Sequence, residues 1–155
     1  MLLYSVELLL TSYFCYVNQN TDCLVMTKTT TLWRPVGIHE LALLEDNNFS
    51  SWPPRLKDQP IFYPVLNREY ATKIAKEWNA KIEGSGFVTQ FEVETDYLNN
   101  FEVQQVGGQT ILEYWIPAEE LGEFNTHLVG QIVLIESFEL NKDTDKVVAI
   151  YTKSN

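Results

Sequence analysis

Cysteine and histidine are scarce in this chain of 155 residues, with two of each. Cys15 and Cys23 both precede residue 26, and nothing downstream can pair with them or complete a metal-ligand set. His39 and His127 stand outside any HExxH-like or Cys/His-spaced cluster, so a protein-held metal is not expected. Basic residues are also few: 11 Lys and Arg face 21 Asp and Glu, for a formal net charge of −10 and a pI near 4.6. So acidic a chain lacks the cations that neutralise a phosphate backbone, and nucleic acid is not an expected partner. Neither GxGxxG after a strand, a P-loop nor a GxSxG elbow occurs, which disfavours common dinucleotide folds, phosphoryl-transfer ATPases and serine hydrolases.

A hydrophobic run long enough to span a bilayer is missing too. Residues 2 to 17, LLYSVELLLTSYFCYV, are apolar but shorter than the ~20 residues a spanning helix needs. No Lys or Arg precedes them, Glu7 interrupts them, and no clear small-residue cleavage site follows. A docking helix, a weak membrane-associating segment and translated sequence upstream of the true start are the open readings. The third is favoured, because Met26 is followed by a polar stretch and then by a convincing strand. The expected organisation is an apolar leader over 1 to 26 and one cytoplasmic domain over 27 to 155, with no stable membrane insertion.

What is present suits a folded domain. The composition is 45% hydrophobic, 13% aromatic and 21% charged, far from the disordered corner, and the length fits one core. TLWRPVG alternates as a strand with Leu32, Arg34 and Val36 on one face and Trp33 on the other. IHELALLEDNN places Ile38, Leu41, Ala42 and Glu45 at helical spacing, and the proline-rich stretch from Phe49 to Pro60 is a loop. Pro64 confines IFYPVL to an edge or a broken ladder. Asn67 caps a helix whose apolar stripe is Tyr70, Ile74 and Trp78 with Ala71 and Ala75. FVTQFEV is a strand and TDYLNNF a short turn of helix capped by Thr95 or Asp96. FEVQQV and TILEYWI form a hairpin across Gly107-Gly108, and Pro117 opens a helix with Leu121, Phe124 and Leu128 buried, ended by Gly130. A second hairpin closes the chain. The expected fold is a single α+β domain, a mostly antiparallel twisted sheet of about six or seven strands with three or four helices.

Two charged residues fall on apolar strand faces. Alternation groups Ile111, Glu113 and Trp115, and a carboxylate there needs a partner or a polar cleft. Arg34 poses the same question. Either the two line one cleft, with Arg34 holding an anion and Glu113 acting on a sugar hydroxyl or a developing cation, or they are a structural ion pair or two solvent-facing strand residues. Arg55, Tyr63 and Asn67 sit beside prolines that fix loop geometry and serve either a site or a rigid crossover. His39 reads as a half-exposed helical residue.

The segments LWRPVGIHEL, PPRLKDQPIFYPVLNREYATKIAKEWN, GFVTQFEV, VQQVGG, EYWIPAEELGEFN and VGQIVLIESF, across residues 31 to 138, together resemble a small bacterial family labelled with the words ADP-ribosylation and crystallin. The related crystallin-like glycohydrolases are larger and all-helical with acidic magnesium clusters, unlike this chain. ADP-ribosyltransferase domains are the nearer analogue, with an Arg or His on an early strand, an aromatic or Ser/Thr strand in the middle and a Glu on a late strand. The resemblance implies NAD as cofactor, with Arg34 on a phosphate or ribose, Tyr63 stacked on nicotinamide, and Glu113 catalytic, bonding the ribose and stabilising an oxocarbenium-like transition state. Arg55 and Trp115 are further cofactor-binding candidates. The Ser-Thr-Ser strand is missing, and Ile111 stands where such enzymes carry a second acidic residue. The alternative is a non-catalytic acidic interaction module with a protein partner.

Overall fold

A computed structural model of the protein describes residues 27–153; the leader over 1 to 26, with both cysteines, lies outside them. Strand β1 (Thr29–Val36) has the expected alternation, burying Leu32, Arg34 and Val36 while Trp33 is half-buried. Gly37 turns the chain into α1 (Ile38–Asp46), whose buried residues are Leu41 and Leu44. Ile38, Ala42 and Glu45, expected on the inner face, are exposed instead, because the helix meets the core along one narrow line. Asn48 and Phe49 then take left-handed φ of 55° and 56°, and the Phe49 N–H donates back to Leu44 O at 2.7 Å. That reversal starts the long loop.

Strand β2 is only Ile61–Phe62. Pro64 breaks the ladder as expected, and Val65 alone resumes it, bridging Trp33 on one side and Glu113 on the other. Its N–H and C=O exchange bonds of 2.8 and 2.9 Å with Trp33, while Leu66 N–H donates to Leu112 O and Tyr114 N–H to Pro64 O. One residue thus brings the strand of Glu113 alongside the strand of Arg34.

Asn67 caps α2 (Arg68–Ile74), its side chain accepting from Tyr70 N–H at 3.1 Å. The downstream face departs from the sequence reading. A π-helical turn, Ala75–Asn79, joins α2 to α3 (Ala80–Glu83), and the residue it inserts rotates the face beyond it. Ala71 and Ala75 are buried as expected and Ala80 joins them, whereas Trp78 is 64% exposed. Small residues let the helix lie almost on the backbone of β3 (Ser85–Glu94): a Cβ at Gly86 would sit 2.0 Å from Ala75 O. α4 (Thr95–Leu98) begins after Glu94 with no side-chain cap, contrary to the Thr95 or Asp96 expectation.

β4 (Val103–Gln105) and β5 (Leu112–Tyr114) pair antiparallel as the expected hairpin. Pro117 belongs to β6 (Ile116–Pro117), opposite Ile61 in β2, and not to a helix. A 3-10 turn, Ala118–Glu120, precedes α5 (Leu121–Thr126), which buries Leu121 and Phe124. The helix stops before Gly130, which has φ 78° inside β7 (Leu128–Asn141), and β8 (Lys146–Thr152) returns as the second hairpin.

The described chain is α+β. Because an interruption at Trp115 splits TILEYWI into β5 and β6, its eight strands exceed the expected count. They form a four-stranded sheet, β1-β3-β7-β8, and two two-stranded ones, with antiparallel pairing throughout. Both faces of the main sheet are covered. Leu32, Val36, Phe91 and Val93 pack with Trp52, Phe62 and Phe124, and Val88, Ile135 and Phe138 pack with the three alanines. Val88 and Thr89 are both buried because they lie on opposite faces of this doubly covered sheet, and the register shift beside them leaves Ile135 as the extra residue of β7.

Candidate functional site

Arg34 is anchored before it meets any ligand. Strand alternation turns it toward the aromatic core, where its guanidinium lies 4.7 Å from the Phe62 ring centroid and 5.8 Å from that of Trp52, a cation–π setting that offsets part of its desolvation. Only 7% of the residue is exposed. Its Nε and Nη2 each donate to Glu40 at 3.0 Å, one to each carboxylate oxygen, and Nη1 donates to Tyr63 O at 3.2 Å. Glu40 reaches it because the strand, Gly37 and the first turn of α1 fold the chain back within six residues.

Arg55 arrives from the proline loop. Trp52 pins that loop: the Asn125 side chain accepts from Trp52 N–H at 2.8 Å and donates to Trp52 O at 3.0 Å. Arg55 Nη1 then donates to the Glu40 oxygen already held by Arg34 Nε, at 3.3 Å. Its Nε is buried without a hydrogen-bond partner. Burial first, and then the positive charge of Arg34, hold its pKa below the ordinary arginine value, against the opposing pull of Glu40. Two guanidiniums share one carboxylate, leaving one positive charge in excess at this spot.

Glu113, opposite Val65, is 9% exposed. Trp115 Nε1 donates to its Oε1 at 2.7 Å, as same-face residues of one strand can. Trp115 also meets Tyr63 edge-on, with centroids 6.2 Å apart.

These elements enclose an open cavity of about 930 Å³, within the size range of ligand sites. Arg34, Arg55, Tyr63 and Glu113 all line it, drawn together from three separate stretches of chain. Trp115 does not line the cavity; it touches it through Glu113 and Tyr63. Asn67 is spent on its helix cap. Arg34 and Glu113 share the cavity with different partners, Glu40 for one and Trp115 for the other.

Three lining residues escaped the sequence reading. Glu40 carries the only carboxylate bonded to both arginines among the described residues, yet its position in a helix's first turn suggests nothing beyond the helix dipole. The helical spacing of Trp78 predicts a core position, but the π turn carries it to the rim of the cavity. Glu83 closes the N-terminus of α1, accepting from Ile38 N–H at 2.9 Å. Gly37 makes room for it, since a Cβ there would lie 2.1 Å from Glu83 Oε2. His39, read as a half-exposed helical residue, also lines the cavity.

No protein-family model, curated protein or solved structure matches the chain. Among the described residues no cluster of three His, Cys, Asp or Glu could hold a metal ion, and no helix is long and apolar enough to cross a membrane.

Proposed function

We propose that this is an ADP-ribosyltransferase-like domain whose cavity binds NAD or a related nucleotide. The observation that carries the reading is the meeting of Arg34, Arg55, Tyr63 and Glu113 in one cavity. Paired guanidiniums suit a phosphate, to which arginine bonds in bidentate fashion. Tyr63 and Trp78 offer ring surface for a base or nicotinamide. Glu113, oriented by Trp115, is the group for a ribose hydroxyl and for an oxocarbenium-like centre as the nicotinamide C–N bond breaks and nicotinamide leaves with the electron pair.

Calorimetric titration of the full chain with NAD and with ADP-ribose tests this. Binding on the order of micromolar is expected, weakened about tenfold or more in Arg55→Ala through loss of charge-assisted bonds. Slow nicotinamide release should disappear in Glu113→Gln while ADP-ribose still binds. No heat from either ligand with folded protein would remove the nucleotide reading.

The alternative, an interaction module, has one observation in its favour. Among the described residues β8 ends the main sheet and exposes Val148, Ile150 and Tyr151, the kind of edge that accepts another strand. It gains if neither nucleotide binds.

A further inference from the structure

The arginine pair is not empty: a carboxylate of the protein already sits on it. Arg34 presents Nε and Nη2 to the two oxygens of Glu40, both at 3.0 Å, and Arg55 Nη1 bonds one of them at 3.3 Å. A phosphate approaching the same two guanidiniums would present oxygens of the same charge and nearly the same spacing. We propose that Glu40 is a displaceable internal stand-in for the ligand's phosphate, so that binding proceeds by exchange of one anion for another. The inference rests on the nucleotide reading of the cavity and adds to it what the phosphate must dislodge.

The two sides of this ion cluster differ in how firmly they are held. Arg34 is set on β1, which pairs with β3 and is bridged by Val65 on its other side, and its guanidinium lies against two rings and bonds to the Tyr63 carbonyl. Arg55 follows Pro53 and Pro54 in a loop tied to Asn125. Glu40, by contrast, rides on the first turn of α1, a helix of nine residues that buries only Leu41 and Leu44. Beyond Glu40 itself, the Glu83 carboxylate on Ile38 N–H ties down the start of that helix. The cations are fixed and the anion is the part that can yield.

Charge points the same way. One carboxylate between two arginines leaves a positive excess, and Arg55 Nε remains a buried donor without an acceptor. The diphosphate of ADP-ribose or NAD carries one negative charge on each of its two phosphates, so as a whole it brings more acceptor oxygens and more charge than the single carboxylate it replaces. The other carboxylates of the cavity, Glu83 and Glu113, are bonded elsewhere, to Ile38 N–H and Trp115 Nε1, and their repulsion directs an anion to the arginine end.

The test is calorimetry of the full chain and its Glu40→Gln variant with ADP-ribose as the probe. The variant keeps the size of the side chain and removes the competing charge, so it should bind at least about tenfold tighter than the wild type, an effect of electrostatic origin that shrinks with salt. Equal or weaker binding by a folded Glu40→Gln protein, with the wild type still binding, overturns the stand-in role and leaves the nucleotide reading intact. If neither protein binds, the nucleotide reading itself falls and the inference with it. Nuclear magnetic resonance of the wild type guards against a variant that does not fold. Saturating ADP-ribose should shift the Arg34 and Arg55 Nε–H signals and the backbone amides from Ile38 to Asp46, and saturation that leaves them unmoved overturns displacement.

Discussion

His127 shows how one side chain ties local chemistry to pH. It ends α5 and stacks on Tyr97, rings 4.0 Å apart and 13° from parallel. Its Nδ1 lies 2.6 Å from Glu94 Oε2 and its Nε2 3.3 Å from Glu123 Oε1. The hydrogen bond with Glu94 raises its pKa above the ordinary histidine value, Glu123 adds to the rise, and burial opposes it. A raised folded-state pKa means the folded protein holds the proton more tightly than the unfolded chain. The stabilisation is thus fully present below the unfolded pKa and is lost as pH rises through the folded one. Melting temperature should fall as pH rises from about 6 toward 8, and His127→Gln should flatten that slope. An identical slope in the variant would assign the pH dependence to other groups.

Arg34 and Glu113 also belong to this scale. Alternation grouped each with apolar strand neighbours and left a solvent-facing placement open; both are buried. The partner of Arg34 was invisible there, because Arg34 finds Glu40 through a strand-to-helix reversal whose spacing of six belongs to no helical or strand repeat. Trp115 is the partner that alternation had already grouped with Glu113, two residues away on the same face.

At the scale of elements, glycines decide which approaches are possible. Gly86 lies under the π turn, where a methyl group would meet the Ala75 carbonyl, a backbone atom that cannot rotate away. Gly86→Ala should cost about 3 kcal/mol, at the upper end of the usual range for overpacking. Gly37→Ala meets only the Glu83 carboxylate, the end of a flexible side chain. Its cost should be nearer ~1 kcal/mol, that of a lost helix cap. Urea unfolding of the two variants gives the comparison, and equal losses would contradict this account of the helix seat.

The same helix explains the largest misreading of an element. Tyr70, Ile74 and Trp78 recur with α-helical spacing, and an uninterrupted helix would bury them together. Inserting one residue in a π turn costs hydrogen-bond geometry but sets Ala75 and Ala80 against β3, and close contact with the sheet outweighs the local preference. Trp78 is freed by that exchange to line the cavity.

The whole molecule is organised around Trp52. Its ring lies 5.0 Å from both Phe62 and Phe91, and Phe124 joins the group 5.4 Å from Phe62. The loop, β2, β3 and α5 therefore share one aromatic centre. Trp52→Ala should destabilise the fold by about 3–5 kcal/mol, through lost burial and the cavity left behind. It should also loosen Arg34, whose guanidinium rests against the same rings. Urea unfolding followed by circular dichroism measures the loss, and a cost below about 1 kcal/mol would show that the loop contributes little to the core.

The sequence by itself determined the α+β class, the main strands, both hairpins, the Asn67 cap and the grouping of Arg34 and Glu113 with apolar strand neighbours, since each depends on alternation, helical spacing or turn chemistry within a few residues. Only the tertiary structure decided that Val65 would join the strands of Arg34 and Glu113, that a π turn would carry Trp78 to the cavity, and that Glu40 would sit between two arginines. Those outcomes depend on contacts between distant segments, where burial and charge pairing override local preference. Residue spacing carries no trace of a partner that the chain meets only after it has folded.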